Sequence, residues 1–202
     1  IVDRVASKHD LLVITDEIYE YIRYDGREHI SPATVGNLAE RTVTIMGLSK
    51  TFSITGWRLG YAIAPEHMSP AITLVNDLYY VCSPTPLQHG VAAGFKSPQS
   101  YFDDLQTTYQ KKRDLICRTL NDIGFTPIIP EGAYYVLCDV SKLGHNDSKA
   151  AAMQILNEAK VAGVPGRSFY QSELGKNIVR FCFAAEDEAI EKAAQQLQKA
   201  FG

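Results

Sequence analysis

MGLSKTFSITGWRLGY, at residues 46–61, is the stretch that decides the fold. It begins in an apolar run at residues 42–46 and ends in another at residues 59–64, and a loop rich in Ser, Thr and Gly joins the two runs. An earlier run at residues 11–14 consists of four consecutive aliphatic side chains. Runs of this kind are typical of strands covered on both faces, as in parallel sheets. We therefore predict an α/β fold with three strands in the first half of the chain.

Two chemically active side chains come just past predicted strands. Asp16 follows the strand at residues 11–14, and Lys50 follows the strand at residues 42–46. Open α/β sheets bind their ligands beyond the carboxyl ends of the strands. We therefore expect ligand chemistry around Asp16 and Lys50.

The second half of the chain mixes strands with helices. The longest helix is predicted at about residues 100–122, with one apolar stripe and Gly124 as its stop. After it we predict strands at residues 133–140 and 178–184 and helices at residues 148–162 and 187–201. This pattern indicates a smaller α+β domain. We place the boundary near Ser97, so that residues 1–97 and 98–202 form two domains and the long helix bridges them.

Composition narrows the possible partners. The 202 residues carry 20 Lys and Arg against 23 Asp and Glu, a net charge of −3 with no dense basic stretch, so binding to nucleic acid or an anionic membrane is not expected. The four cysteines form no CxxC pair and are expected to be reduced core thiols. The first ten residues contain charges where a signal peptide needs an apolar stretch, which predicts a cytoplasmic protein.

The two regions around Asp16 and Lys50 together resemble the class I/II pyridoxal-phosphate aminotransferases of fold type I. In that family an Asp-x-x-Tyr follows one strand, a Ser-Lys loop supplies the lysine that binds the cofactor, and an arginine follows eight positions later. Asp16, Tyr19, Lys50 and Arg58 fit this pattern. Other matching segments lie at residues 84–88, 130–135, 163–166 and 179–181. The resemblance implies the C-terminal part of a large cofactor-binding domain followed by a smaller α+β domain, with pyridoxal 5'-phosphate as cofactor.

Lys50 by itself has a simpler interpretation, because most lysines in Ser- and Thr-rich loops are solvated surface residues. An amine that binds an aldehyde must spend time in its neutral form, which burial or nearby cations favour. The resemblance implies that Lys50 binds the cofactor, is displaced by the substrate amine, and then moves the proton at the α-carbon.

Asp16 and Tyr19 also have structural alternatives. Asp16 could cap the turn that follows its strand, and Tyr19 could simply pack its ring. The resemblance implies that the Asp16 carboxylate keeps the cofactor's ring nitrogen protonated and that the Tyr19 hydroxyl binds the cofactor's phenolic oxygen.

Arg58 and Ser49 are candidates for holding a phosphate. The bland alternative for Arg58 is a surface salt bridge, but a planar guanidinium beside glycine and hydroxyl residues suits bidentate contact with phosphate. The resemblance implies that Arg58 binds the cofactor's phosphate and that Ser49 adds a hydroxyl contact. Gly47 stands where some members of the family carry a phosphate-binding serine.

Arg180 lies among apolar residues in a predicted strand, where an inward charge needs a partner. A structural ion pair is one alternative. The resemblance implies that Arg180 binds the substrate's α-carboxylate and thereby orients the bond that is cleaved. The turns at residues 131–134 and 165–166 could shape a side-chain pocket or could serve packing alone.

The resemblance implies a homodimeric enzyme that transfers an amino group from an L-amino acid to a 2-oxo acid. Two alternatives stay open: a β-lyase of the same fold, and a non-catalytic domain that senses ligands. The chain corresponds to about the second half of a family member, so it is expected to be inactive alone. With half of its sheet absent, it should expose apolar surface and associate with its missing half or with itself.

Overall fold

The computed structural model describes every residue from Ile1 to Gly202, and the chain divides into two compact units. The first unit consists of Ile1–Tyr21 and Arg27–Leu105, and the second of Ile22–Gly26 and Gln106–Gly202. These units are defined by contacts within the chain. The two domains predicted at residues 1–97 and 98–202 are the ones that the family resemblance implies, and they stay a prediction. No helix is both long and apolar enough to cross a bilayer.

The first unit is built on a sheet of three strands in the order β1-β2-β3. Strand β1 is parallel to β2, and β3 is antiparallel to β2. The strands are β1 (Val13–Asp16), β2 (Thr42–Gly47) and β3 (Gly60–Ile63), and the helices are α1 (Val2–His9), α2 (Leu48–Thr51), α3 (Ser69–Tyr80) and α4 (Thr85–Gly94). All three strands were expected from the sequence.

Strand β1 begins two residues later than the aliphatic run predicts. Helix α1 ends at Asp10 in the left-handed conformation, and the Leu11 N–H donates to the Ala6 carbonyl. Because this helix end uses Leu11, the first residues of the run close the helix and do not enter the sheet.

The strand at residues 11–14 was expected to be covered on both faces, but this chain covers only one of them, as the expected exposure of apolar surface implies. Ile14 is 75% exposed, whereas Thr42, Thr44 and Met46 on the other face of the sheet are buried. Because side chains alternate along a strand, one face of β1 is packed and the face that carries Ile14 is left uncovered by this chain.

The second unit contains a four-stranded antiparallel sheet in the order β4-β5-β7-β6. Its strands are β4 (Thr126–Ile128), β5 (Tyr135–Asp139), β6 (Val164–Pro165) and β7 (Ile178–Cys182), and its helices are α6 (Ser148–Ala159) and α7 (Asp187–Phe201). Its fully buried side chains include Val136, Ile155, Val179, Phe183 and Leu197. These two helices and strands β5 and β7 lie where the sequence predicts them.

Helix α5 (Gln99–Asp122) is the predicted long helix, and Gly124 ends it with a φ of +80°. Arg113 of α5 is a buried charged residue. Its Nη1 and Nη2 groups donate to the Asp25 carboxylate at 2.6 and 2.8 Å, and its guanidinium lies 4.6 Å from the centre of the Tyr24 ring. This ion pair fastens residues 22–26 to the rest of the second unit.

The cysteines are all reduced, but only two of them are core thiols. Cys117 and Cys138 are buried, while Cys82 and Cys182 are exposed. The expectation of four core thiols is therefore wrong for Cys82 and Cys182. Cys182 is exposed because it alternates with the inward-facing Phe181 and Phe183 and so lies on the opposite face of the sheet.

Candidate active site

One edge of the three-stranded sheet brings together three of the predicted site residues. Asp16 is the last residue of β1 and pairs with Ile45 in the parallel strand β2. Lys50 lies in helix α2, directly after β2 ends, and Arg58 comes just before β3, whose first residue Gly60 pairs with Gly47. Asp16, Lys50 and Arg58 therefore lie at the same sheet edge.

Asp16 is exposed on the uncovered face of the sheet. Its Oδ1 accepts a hydrogen bond from the Ile18 N–H at 3.2 Å, so the carboxylate does cap the turn after β1. This capping bond employs one carboxylate oxygen. Tyr19 is half-buried in the same turn.

Glu17, beside Asp16, was not singled out from the sequence. Its side chain is 5% exposed. Oε1 accepts hydrogen bonds from the Thr15 and Ser31 hydroxyls at 2.7 and 2.9 Å, and Oε2 lies 2.6 Å from Nε2 of His29. Burial raises the pKa of Glu17, but these hydrogen bonds lower it by more, so the pKa lies below its ordinary value. The signal in the sequence is the period of two, which places Glu17 on the packed face with Val13 and Thr15.

Lys50 is positioned by a short, firmly held helix. The Leu48 N–H donates to the Leu59 carbonyl at 3.1 Å, and the Ile54 N–H donates to the Ser49 carbonyl at 3.1 Å. Leu48 packs with Leu59 and Val91 in a buried cluster. Ser49 is buried and Lys50 is half-buried, so the loop that carries the lysine is anchored on both sides.

Arg58 adopts a left-handed backbone conformation, with a φ of +54°. Its Nη1 donates to the Thr55 carbonyl at 3.0 Å, which folds the side chain back over the tight turn at residues 55–57. The guanidinium is exposed, and no salt bridge involves it, so the simple alternative of a surface ion pair is not what the structure contains.

Glycine at position 47 leaves room for the Ile18 side chain of the neighbouring turn. A Cβ atom at Gly47 would collide with the side chain of Ile18, two residues after Asp16. A serine at this position would therefore displace Ile18, and the chain has no serine hydroxyl here for a phosphate.

Arg180 lies on β7 in the second unit and makes no ion pair or side-chain hydrogen bond. Its Nε–H is buried without an acceptor. The guanidinium carbon lies 4.2 Å from the centre of the Tyr135 ring and 4.5 Å from that of the Phe169 ring. The structural ion pair considered for Arg180 is therefore absent.

A protein-family model matches nearly the whole chain. Residues 1–197 match the family model described as aminotransferase class I and II. Kynurenine–oxoglutarate transaminase 3 of Mus musculus is 35% identical over 98% of this chain and 47% of its own length. An aspartate aminotransferase of Musicola paradisiaca is 36% identical over 99% of this chain and 50% of its own length.

Solved structures have the same fold. An aromatic aminotransferase from Pyrococcus horikoshii superposes with a TM-score of 0.89 at 33% identity, covering 98% of this chain and 52% of its own. N-succinyldiaminopimelate aminotransferase of Mycobacterium tuberculosis has a TM-score of 0.92 at 28% identity, over 98% of this chain and 52% of its own. The chain spans about half the length of the relatives it matches. On this evidence the chain belongs to the class I and II aminotransferases, a family whose members use pyridoxal phosphate.

Proposed function

We propose that the complete protein containing this chain transfers an amino group from an L-amino acid to a 2-oxo acid. We propose further that the chain is the C-terminal half of that protein. Residues 1–97 then belong to the large cofactor-binding domain, and residues 98–202 form the small domain. The family membership and the half-length match to transaminases support this proposal. The half chain by itself is expected to be inactive.

The donor set at the sheet edge fits pyridoxal phosphate chemically. An aldehyde needs an amine, which Lys50 supplies, and a pyridinium nitrogen needs a carboxylate, which Asp16 supplies. A phosphate needs hydroxyl and cationic donors, and Ser49 and Arg58 are of those types. When bound, pyridoxal phosphate supplies a ring that accepts the electron pair left when a substrate's α-proton is removed.

Lys50 has two tasks in this proposal. In the absence of substrate its amine would hold the cofactor at the aldehyde carbon, with loss of water. When free, the amine would be the base that takes up the proton of the substrate's α-carbon at Nζ and later returns it. The anchoring of helix α2 through Leu48 holds that amine in position for both tasks.

The other residues hold and orient. Asp16 would keep a proton on the ring nitrogen by presenting a negative charge to it. The Tyr19 hydroxyl would donate to the phenolic oxygen, and Arg58 with Ser49 would bind the phosphate. Arg180 binds the substrate's α-carboxylate, and its lack of any carboxylate partner within the chain supports that assignment.

We propose a homodimer for the complete protein. Helix α3 has no buried residue and exposes Leu74, Leu78 and Tyr79, which supports further contacts on this surface. The cytoplasmic location stays a prediction.

The observation that carries the proposal is the shared sheet edge of Asp16, Lys50 and Arg58. To test it, the complete protein is mixed with pyridoxal phosphate and the visible absorbance of the lysine-bound cofactor is recorded. We expect Lys50→Ala to abolish this band and Lys96→Ala, which removes an exposed lysine of the same unit, to keep it.

Turnover decides the reaction. An amino acid should discharge the band, and a 2-oxo acid should restore it. A wild-type protein that never acquires the band contradicts the proposal and favours a domain without catalysis. Release of pyruvate and a thiol with no 2-oxo acid present would instead indicate a β-lyase.

A further inference from the structure

The guanidinium of Arg180 has unusual partners for a charged side chain on a strand. Half-buried arginines are normally held by a carboxylate or by carbonyl oxygens. Arg180 has neither, and its Nε–H is buried without an acceptor. The contacts that remain are with aromatic rings, those of Tyr135 and Phe169. We call these two residues the aromatic pair.

The register of the sheet explains the Tyr135 contact. Arg180 pairs with Leu137, and Tyr135 pairs with Cys182, so Tyr135 lies diagonally across from Arg180 on the same face of the sheet. Diagonal neighbours of this kind are within reach of long and aromatic side chains. The ring of Tyr135 therefore meets the guanidinium at 4.2 Å as a consequence of strand pairing.

Phe169 reaches the same guanidinium from the loop before β7. Its N–H donates to the Gly166 carbonyl at 2.8 Å, which fixes its backbone. Gly166 and Gly175 are packed so closely that a Cβ on Gly175 would lie 2.7 Å from the Gly166 carbonyl oxygen. The Phe169 side chain is nonetheless 48% exposed, so it contributes little to the core.

Neutral aromatic rings hold a guanidinium without neutralising its charge, which a carboxylate partner would do. Cation–π contact restrains the plane of a guanidinium and leaves its positive charge uncompensated by any anion. A carboxylate in the same place would restrain the plane too, but it would compete with an incoming anion for the same donors.

We infer that the aromatic pair positions Arg180 for the α-carboxylate of the substrate. This inference rests on the proposed function, in which Arg180 is the carboxylate-binding residue. Tyr135 and Phe169 are positioning residues, because they act through the guanidinium and need not touch the substrate. A guanidinium is planar by itself, and rings packed against it limit its rotation, so that both Nη groups stay available to a bidentate carboxylate.

The test uses the complete, cofactor-loaded protein. Phe169→Leu removes the ring and keeps an apolar side chain, while Phe169→Tyr keeps the ring. Tyr135→Leu and Tyr135→Phe are the corresponding variants on strand β5: the first removes the ring and the second keeps it. Two quantities are measured for each variant: the KM and kcat for amino acid and 2-oxo acid, and the Kd of two unreactive carboxylates, succinate and 3-phenylpropionate, by calorimetry.

Each leucine variant is expected to raise KM and Kd about 3- to 30-fold, in line with a partly desolvated cation–π contact, with kcat changed much less. Each ring-retaining variant should stay within about twofold of wild type, as expected if the ring and not the hydroxyl is what matters. Circular dichroism and the visible cofactor band should be the same in all four, which separates positioning from loss of fold.

Arg180→Ala separates this inference from the function on which it rests. If Arg180→Ala leaves carboxylate binding unchanged, the proposed role of Arg180 fails. If Arg180→Ala abolishes binding but both leucine variants bind normally, the role of Arg180 stands and the inference is overturned. A leucine variant that lowers kcat with KM and Kd unchanged also overturns it.

Discussion

Replacing Glu17 by glutamine is expected to destabilise the protein and to reduce its sensitivity to acid. Glu17 is the buried carboxylate beside Asp16, and it accepts hydrogen bonds from Thr15, Ser31 and His29. These bonds join the end of β1 to residues 29–31 of the following loop. Glutamine has nearly the same shape, so the substitution removes the charge and leaves the packing in place.

The size of the effect follows from the three bonds. Hydrogen bonds to a charged group contribute about 1.5–3 kcal/mol each, and neutral ones contribute about 1 kcal/mol. Oε1 of glutamine can still accept from Thr15 and Ser31, while its amide nitrogen replaces the oxygen that faces His29. Burying a neutral amide costs less than burying a carboxylate, which offsets part of the loss. We expect the free energy of unfolding at neutral pH to fall by about 2 kcal/mol.

The effect should depend on pH in a defined direction. The pKa of Glu17 is lowered from its ordinary value of 4.5 in the folded protein. A lowered pKa contributes stability that is present above the unfolded value and is lost as the pH falls through the folded pKa. The difference between wild type and Glu17→Gln should therefore be largest at neutral pH and should shrink as the pH falls below 4.5.

Urea unfolding followed by circular dichroism measures both effects. Glu28→Gln is the matched control, because Glu28 is exposed in the same loop, next to His29. The control should unfold like wild type at every pH. If Glu17→Gln has wild-type stability at neutral pH, or if its deficit grows as the pH falls, the network does not stabilise the end of β1 as described.

Two further predictions concern the second unit. Burial raises the pKa of Cys117 to about 11 and that of Cys138 to about 12, because the charged thiolate is disfavoured there. At mildly alkaline pH a thiol reagent should therefore leave both unmodified in the native protein, as read by peptide mapping, and modify both after unfolding; rapid native labelling of either would contradict their burial. Arg113→Met should lower the free energy of unfolding by about 2–3 kcal/mol, since it breaks a pair in which the Arg113 side chain is 5% exposed. Arg118→Met, at an exposed position of the same helix, should change it little, and equal stabilities in urea would show that the pair does not hold residues 22–26.

Local patterns were enough for most of the secondary structure. The terminal helix was predicted at residues 187–201 and is observed there, because its amphipathic period and acidic first turn are properties of neighbouring residues. The long helix and strands β5 and β7 were found for the same reason. Strand β1 was placed two residues early, because the end of helix α1 takes Leu11, and this depends on how the helix closes.

The candidate site was likewise predicted where it depends on neighbouring residues and missed where it depends on distant ones. Asp16 and Lys50 were expected from their positions just past predicted strands, and Arg58 was expected from the family resemblance. The register of three strands then brings their positions to one edge. The partners of Arg180 were not predicted. Its local sequence shows a charge in an apolar strand, and an ion pair and a ligand site are equally consistent with that pattern.

What the sequence alone determined is the chemistry that is encoded within a few residues: the helices, the strands, and the lysine, carboxylate and guanidinium that mark the family. What only the tertiary structure decided is which distant residues meet. Arg113 meets Asp25 across 88 positions, and Phe169 meets Arg180 through a loop and a strand. Contacts of this kind depend on strand register and packing over the whole unit. The residues next to each partner in the chain therefore do not predict them.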